Sequence, residues 1–140
     1  MIGPKPQKLT AAEKRRAEGE AYELATLRDS GTCQRCRKNC GPVARDHRRN
    51  RSQGGLTVVA NLQCLGLDCH TWKTDHPEKA IADGWAVPGW VFWEEWPARR
   101  WLTTAWGAPR LGWVLYDDIG GWVEITDREA HYRITGSVPF

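Results

Sequence analysis

Two sets of side chains in this 140-residue sequence could do chemistry. The first is a string of residues in a fixed order: Asp46-His47, then a thirteen-residue gap to Asn61-Leu62-Gln63, then Cys69-His70-x-x-Lys73-Thr74. Imidazole titrates near ~6.5 and suits proton transfer at working pH, and carboxylate and imidazole are both ligands for divalent cations. A lone Asp-His or Asn-Leu pair carries little information; the whole string is the informative unit. The second set is the cysteines. Five of them, an odd number with one close pair spaced Cys33-x-x-Cys36, point to metal ligation sooner than to a disulfide framework, and zinc is the default metal.

Over residues 30–76 the string resembles the HNH nuclease family in order, spacing and flanking residue types. Members of that family carry Asp-His on a strand, a loop containing Gly-Gly, Asn-Leu-Gln before a helix, and Cys-His-x-x-Lys on that helix. The resemblance implies that His47 is a general base, that Asp46 and His70 hold one divalent ion (Mg, Mn or Ni), and that Asn61 braces the loop and orients the base. Such an arrangement matches the demands of phosphodiester hydrolysis, which needs a deprotonated water and a charge to stabilise the developing pentacovalent phosphorus and leaving alkoxide. Consecutive strand residues point to opposite faces, so Asp46 and His47 share one site only if the strand ends or twists there.

The same resemblance places Cys33, Cys36 and Cys69 in a structural zinc knuckle. The remaining family position, three residues before Cys69, is Gly66. A tetrahedral site needs a fourth ligand. Cys40 is favoured, because Asn39 and Gly41 beside it suit a turn back toward Cys33 and Cys36. Cys64 is the alternative, although among Leu62, Leu65 and Leu67 it reads equally as a small core filler.

Formal charge is +3, but residues 1–51 hold 13 Lys/Arg against 6 Asp/Glu while the rest hold 7 against 11. A basic half of this density offers phosphate neutralisation or merely a solvated face. The segment Arg48-Arg49-Asn50-Arg51-Ser52-Gln53 departs from the family pattern, which more often has apolar residues and a Pro after the His. Arg48, Arg49, Arg51 and, from the helix, Lys73 are therefore candidate phosphate contacts. His76 and His131 fit no motif position, although His76 could lie near the cleft.

The elements that must position these residues are legible in outline. Residues 1–9 read as a mobile basic arm, and Thr10-Ala11-Ala12-Glu13 is a capping box opening a helix to about Arg28, with Ala17, Ala21, Leu24 and Leu27 as its apolar stripe and Tyr22 to one side. Short strands around 43–47 and 56–59 flank the Gly54-Gly55 turn, and a helix carrying Cys69, His70 and Lys73 ends before Pro77, which starts another short helix. Eight of the nine tryptophans fall between Trp85 and Trp122. The stretch 85–106, broken by Pro88 and Pro97, reads as an irregular clasp burying its rings, while 111–116 and 122–125 read as a β-hairpin around Asp117-Asp118-Ile119-Gly120-Gly121. Trp113 and Trp122 on that hairpin suit either a core or a partner surface. Thr126 caps a last helix from Asp127 to Arg133.

The expected fold is α+β: a small zinc-stapled ββα-metal, treble-clef-like core (30–84), preceded by a basic arm and helix (1–29) and followed by a Trp-rich extension (85–140). The expected function is a metal-dependent endonuclease acting on double-stranded DNA. Some phage relatives of this kind work beside terminase in DNA packaging, which makes packaging machinery an expected partner by resemblance alone. Two other readings compete: a zinc-stabilised DNA-binding module without catalysis, and a protein-interaction adaptor built on the Trp-rich tail. Without a signal-like leader or a segment of ~18 apolar residues, a cytoplasmic, membrane-free protein is expected.

Overall fold

The computed structural model describes residues 8–137, so the first seven residues of the basic arm lie outside it. Thr10 accepts from the Glu13 amide while Glu13 accepts from the Thr10 amide, and this capping box opens α1 (Ala11–Asp29). The helix buries Ala21 and Ala25 against Val59 and Leu62, and leaves Leu27 exposed. The buried stripe thus runs through the small residues, whose lack of bulk allows the helix close against the strand beneath it. Leu24 and Leu27 belong to the open side.

Strand β1 (Val43–His47) pairs antiparallel with β2 (Leu62–Gly66), in a register that sets Asp46 opposite Gln63 and His47 opposite Leu62. The expected strand at 56–59 is corrected: that stretch is loop, and residues 59–61 form a short 3₁₀ turn leading into β2. Every residue of β2 is buried. A strand covered on both sides loses the alternation that reveals strands in sequence, and here Asn-Leu-Gln looked like the approach to a helix. Helix α2 (Leu67–Asp75) follows β2 directly, and α3 (Pro77–Ala82) begins with Pro at its first turn.

After an irregular segment, β3 (Ala98–Leu102), β4 (Arg110–Tyr116) and β5 (Trp122–Ile125) make a second antiparallel sheet in the order β3-β4-β5. The β4–β5 hairpin lies where the sequence places it. Strand β3 escaped notice because Arg99-Arg100 interrupts its apolar pattern. Helix α4 (Asp127–Thr135) closes the chain, with the Thr126 hydroxyl accepting from the Glu129 amide. No helix among the described residues is long and apolar enough to cross a membrane.

The clasp does bury rings, though unevenly. Trp93 and Trp96 pack with Val87, Ala98, Val114, Tyr116 and, from the first sheet's side, Ala60 in the main core. Trp85 is buried as well, whereas Trp90 and Trp106 stand in solvent. Trp113 is half-buried and Trp122 exposed at the sheet's edge.

Buried charge joins the parts. Asp29, at the end of α1, accepts from Arg28 Nε and Nη2, from the Cys64 amide of β2, and from Arg100 of β3. Burial opposes its charge, but the Arg28 and Arg100 guanidinium groups and the Cys64 amide outweigh it and hold its pKa below the ordinary carboxylate value. Replacing Asp29 by Ala should destabilise the protein by about 3–5 kcal/mol in urea unfolding, since it strands two buried guanidinium groups. With a folded pKa below the unfolded value, the stabilisation from Asp29 should be complete above pH ~4 and lost only as pH falls through the lowered pKa. A variant as stable as the wild type at pH 7 would remove Asp29 as the joining group.

Candidate metal centres and active site

Four thiols converge where the first knuckle meets α2. The sulfurs of Cys33, Cys36, Cys40 and Cys69 all lie within 4.8 Å of one another. Cys40 and Cys69 Sγ are 3.8 Å apart, matching the edge of about 3.8 Å that a tetrahedron with Zn–S bonds of about 2.3 Å requires. This cluster could hold a structural zinc. Cys40 is the fourth thiol, and Cys64 faces the Ala25 carbonyl of α1 inside the core. The geometry at Gly66 explains the exchange. Cys40 Sγ occupies the space that a Cβ at residue 66 would fill. A cysteine at 66 and one at 40 are alternatives for the same corner, and this chain uses 40.

The local electrostatics favour thiolate at one corner first. Burial penalises a Cys33 thiolate, but hydrogen bonds from the amides of Cys36, Gly66 and Arg35 more than compensate and bring its pKa to about 7. Burial pushes Cys69 up to about 12, partly offset by the Arg35 guanidinium, whose Nη1 donates to its sulfur at 3.5 Å. A bound cation would deprotonate such a thiol outright. Arg35 Cζ itself lies over the Trp72 ring, 3.6 Å from its centroid, so α2 supplies both the thiol and the platform for its cationic partner.

One residue beyond Cys69, the second constellation begins. Asp46 and His47 do diverge as strand neighbours must. Asp46, buried, turns toward α2: its Oδ1 lies 2.8 Å from His70 Nδ1, and its Oδ2 accepts from Lys73 Nζ and Gln63 Nε2, each at 2.9 Å. Gln63 is fixed by a second donation to the Trp85 carbonyl. His47 turns toward the loop and α1. Its Nε2 lies 2.9 Å from Thr57 Oγ1, and its ring meets Tyr22 edge-on. Burial and the Arg51 charge lower the His47 pKa below the ordinary histidine value, while the Asp46 charge pulls the other way. The two residues remain coupled electrostatically although they face different elements.

Asn61 closes the loop between them. Its Oδ1 accepts from the Arg49 amide and its Nδ2 donates to the carbonyls of Arg49 and Leu56. Gly55 completes the turn: a Cβ there would collide with the Arg49 carbonyl, so only glycine lets the loop fold this tightly.

Two of the candidate phosphate contacts are corrected. Arg48 is buried, donating to the carbonyls of Ala60, Trp93 and Trp96, and burial pulls its pKa to about 10. Lys73 is buried on Asp46 and the His47 carbonyl. Both serve the interior. Arg49 is half-buried and donates to the carbonyls of Gln53 and Val91, which leaves Arg51, 62% exposed beside Glu18, as the member of the set open to solvent. His76 stacks on Trp72 and bonds its carbonyl, and His131 is exposed on α4. The sequence reading missed Thr57 and Tyr22, which no local pattern marks, and gave Gln63 no role although it stands inside the motif string.

The arrangement offers a carboxylate oxygen and an imidazole nitrogen side by side, with a second imidazole nearby. Comparison with family models, with curated proteins and with solved structures finds no match to this chain.

Elemental analysis should find about one zinc per chain in the wild type and in Cys64→Ala, and much less in Cys40→Ser, which should also melt lower. The reverse ranking of the two variants would place the metal elsewhere.

Proposed function

We propose that this chain is an HNH-type endonuclease that hydrolyses DNA phosphodiester bonds at Asp46, His47 and His70. One observation carries the reading: Asp46 Oδ1 and His70 Nδ1, 24 residues apart in sequence, lie 2.8 Å apart at the junction of a hairpin and the helix that follows it. Two neighbouring ligands of one octahedral cation with bonds of 2.0–2.1 Å stand about 2.9 Å apart, so the pair, which is hydrogen-bonded in this structure, has the spacing at which a divalent ion would take the place of the shared proton. The antiparallel hairpin followed by a helix is the order expected of a ββα-metal core, and the thiol cluster beside it supplies the expected staple.

Asp46 and His70 would hold the ion, which would stabilise the charge developing on phosphorus and on the leaving alkoxide. A nitrogen donor in the pair favours Mn or Ni over Mg. Lys73 and Gln63 already engage Oδ2. They present Oδ1 as the available oxygen and keep the site to a single-oxygen carboxylate ligand, which suits an exchangeable cation. His47 takes the proton of the attacking water. In the tautomer that carries its proton on Nε2 and donates it to Thr57, the Nδ1 lone pair is the acceptor, and Thr57 with Tyr22 keeps the ring from turning. Asn61 maintains the loop from which Thr57 reaches the ring. The basic first half of the chain, with Arg51 exposed near His47, favours the approach of a polyanion.

Supercoiled plasmid with Mg, Mn or Ni should be nicked by the wild type and at least about 100-fold more slowly by His47→Ala and Asp46→Asn. Equal nicking by wild type and His47→Ala would reject this base. A folded wild type that does not nick with any of the three metals would leave the zinc-stabilised binding module as the better reading.

The pH–rate profile gives a second check. His47 acts as a base only when neutral, so the rate should rise with pH through a pKa below ~6.5. Arg51→Ala removes a positive charge that lowers this pKa and should move the rising limb to higher pH. An unmoved limb would detach Arg51 from the site.

A further inference from the structure

Beside His70 the surface opens into a cavity of about 200 Å³. Its lining includes His70 and Thr74 of α2, Asn50 and Gln53 of the loop after His47, and the Pro88–Trp90 turn. Ligand pockets for drug-sized molecules run from about 300 Å³ upward, so this one suits a single flat ring system. Asn50 and Gln53 are exposed, and among the described residues their side-chain amides make no hydrogen bond within the protein; an amide carries both donor and acceptor capacity for a ligand.

Trp90 is 83% exposed, although an indole gains most by burial. The backbone that carries it is nevertheless held in place. The Val91 amide donates to the Pro88 carbonyl to close the turn, the Val87 amide donates to the Arg48 carbonyl, and Arg49 Nη1 donates to the Val91 carbonyl. Thus an exposed aromatic residue on an anchored turn lines the same cavity as two amide side chains and the proposed metal ligand His70. Phe92, two residues on, is exposed too.

We propose that this cavity receives one unpaired DNA base, with Trp90 as its stacking wall and Asn50 and Gln53 reading the edge of the base. The proposal rests on the nuclease reading of Asp46 and His70 and narrows its substrate to DNA carrying an unpaired or extrudable nucleotide near the scissile phosphate. Base–aromatic stacking is sequence-tolerant, and an extruded base is held in protein pockets by stacking and by hydrogen bonds to its edge.

The test compares a fully paired duplex with the same duplex carrying one unpaired central 2-aminopurine, binding being measured by anisotropy without added divalent metal. The wild type should favour the unpaired form by about 5- to 150-fold, the range that stacking of one base provides, and should quench the 2-aminopurine fluorescence. Trp90→Ala should lose both the preference and the quenching while binding the paired duplex as before, and Trp90→Phe should keep most of the preference. Unchanged melting and zinc content in Trp90→Ala would show that the variant is folded, as the exposure of the ring leads one to expect. A wild type without preference, or a Trp90→Ala variant that retains it, would overturn the receptacle. Plasmid nicking is scored separately. His47-dependent nicking without base preference sinks only the receptacle, whereas base preference without nicking keeps the receptacle and sinks the nuclease.

Discussion

The carboxylate of Asp29 is the group on which three parts of the molecule depend. It sits at the last turn of α1, takes the amide of Cys64 from the middle of the first hairpin, and takes Arg100 from the first strand of the second sheet. Arg28 beside it donates two further hydrogens to the carbonyls of Val59 and Leu62, and Arg100 returns to the Arg28 carbonyl. A buried carboxylate with this many charge-assisted donors is over-determined in position. Desolvating three charges is expensive, so the network is poor evidence of extra stability; its effect is to fix which surfaces meet. Tyr116 covers it, lying over the Arg28 guanidinium at 3.9 Å.

Arg48 does for the other side of the hairpin what Arg100 does at Asp29, and without a carboxylate. Its guanidinium gathers one carbonyl from the 3₁₀ turn before β2 and two from the tryptophan clasp. The residue directly after His47 therefore ties the site loop to the C-terminal segment. Asn61 fastens the same loop from below, and Gln63 ties Asp46 to Trp85. Asp46, through Gln63, and the site loop, through Arg48, are thus backed by bonds to the extension, which makes the extension part of the support for the proposed site and not an appendage.

Much of this was legible in the sequence, for identifiable reasons. The capping box, the Pro-initiated α3, the β4–β5 hairpin and the Thr126 cap follow from local rules that depend on a few adjacent residues. Cys40 was favoured for a local reason as well, the turn chemistry of its neighbours. What failed was non-local. A basic residue after the catalytic-looking His reads as a phosphate contact until the carbonyls of Trp93 and Trp96, more than forty positions away, are seen to use it. Strand β2 was displaced in the reading because burial on both faces erased its period, and β3 was hidden by two arginines that each find an aromatic or acidic partner only in the folded chain. Thr57 carries no signal at all, since a threonine in a loop has no pattern to distinguish it.

Cys69 and His70 are separated by a single peptide bond at the start of α2. Helical residues advance by a fixed angle, so whatever clamps the sulfur of the first also sets the rotational phase of the second. Were the thiol cluster to hold a metal, its occupancy and the aim of the imidazole could not vary independently: an oxidant or chelator that opened the sulfur corner would misdirect His70 without touching it. The knuckle, in this sense, acts as an alignment jig for a nitrogen atom on the next residue.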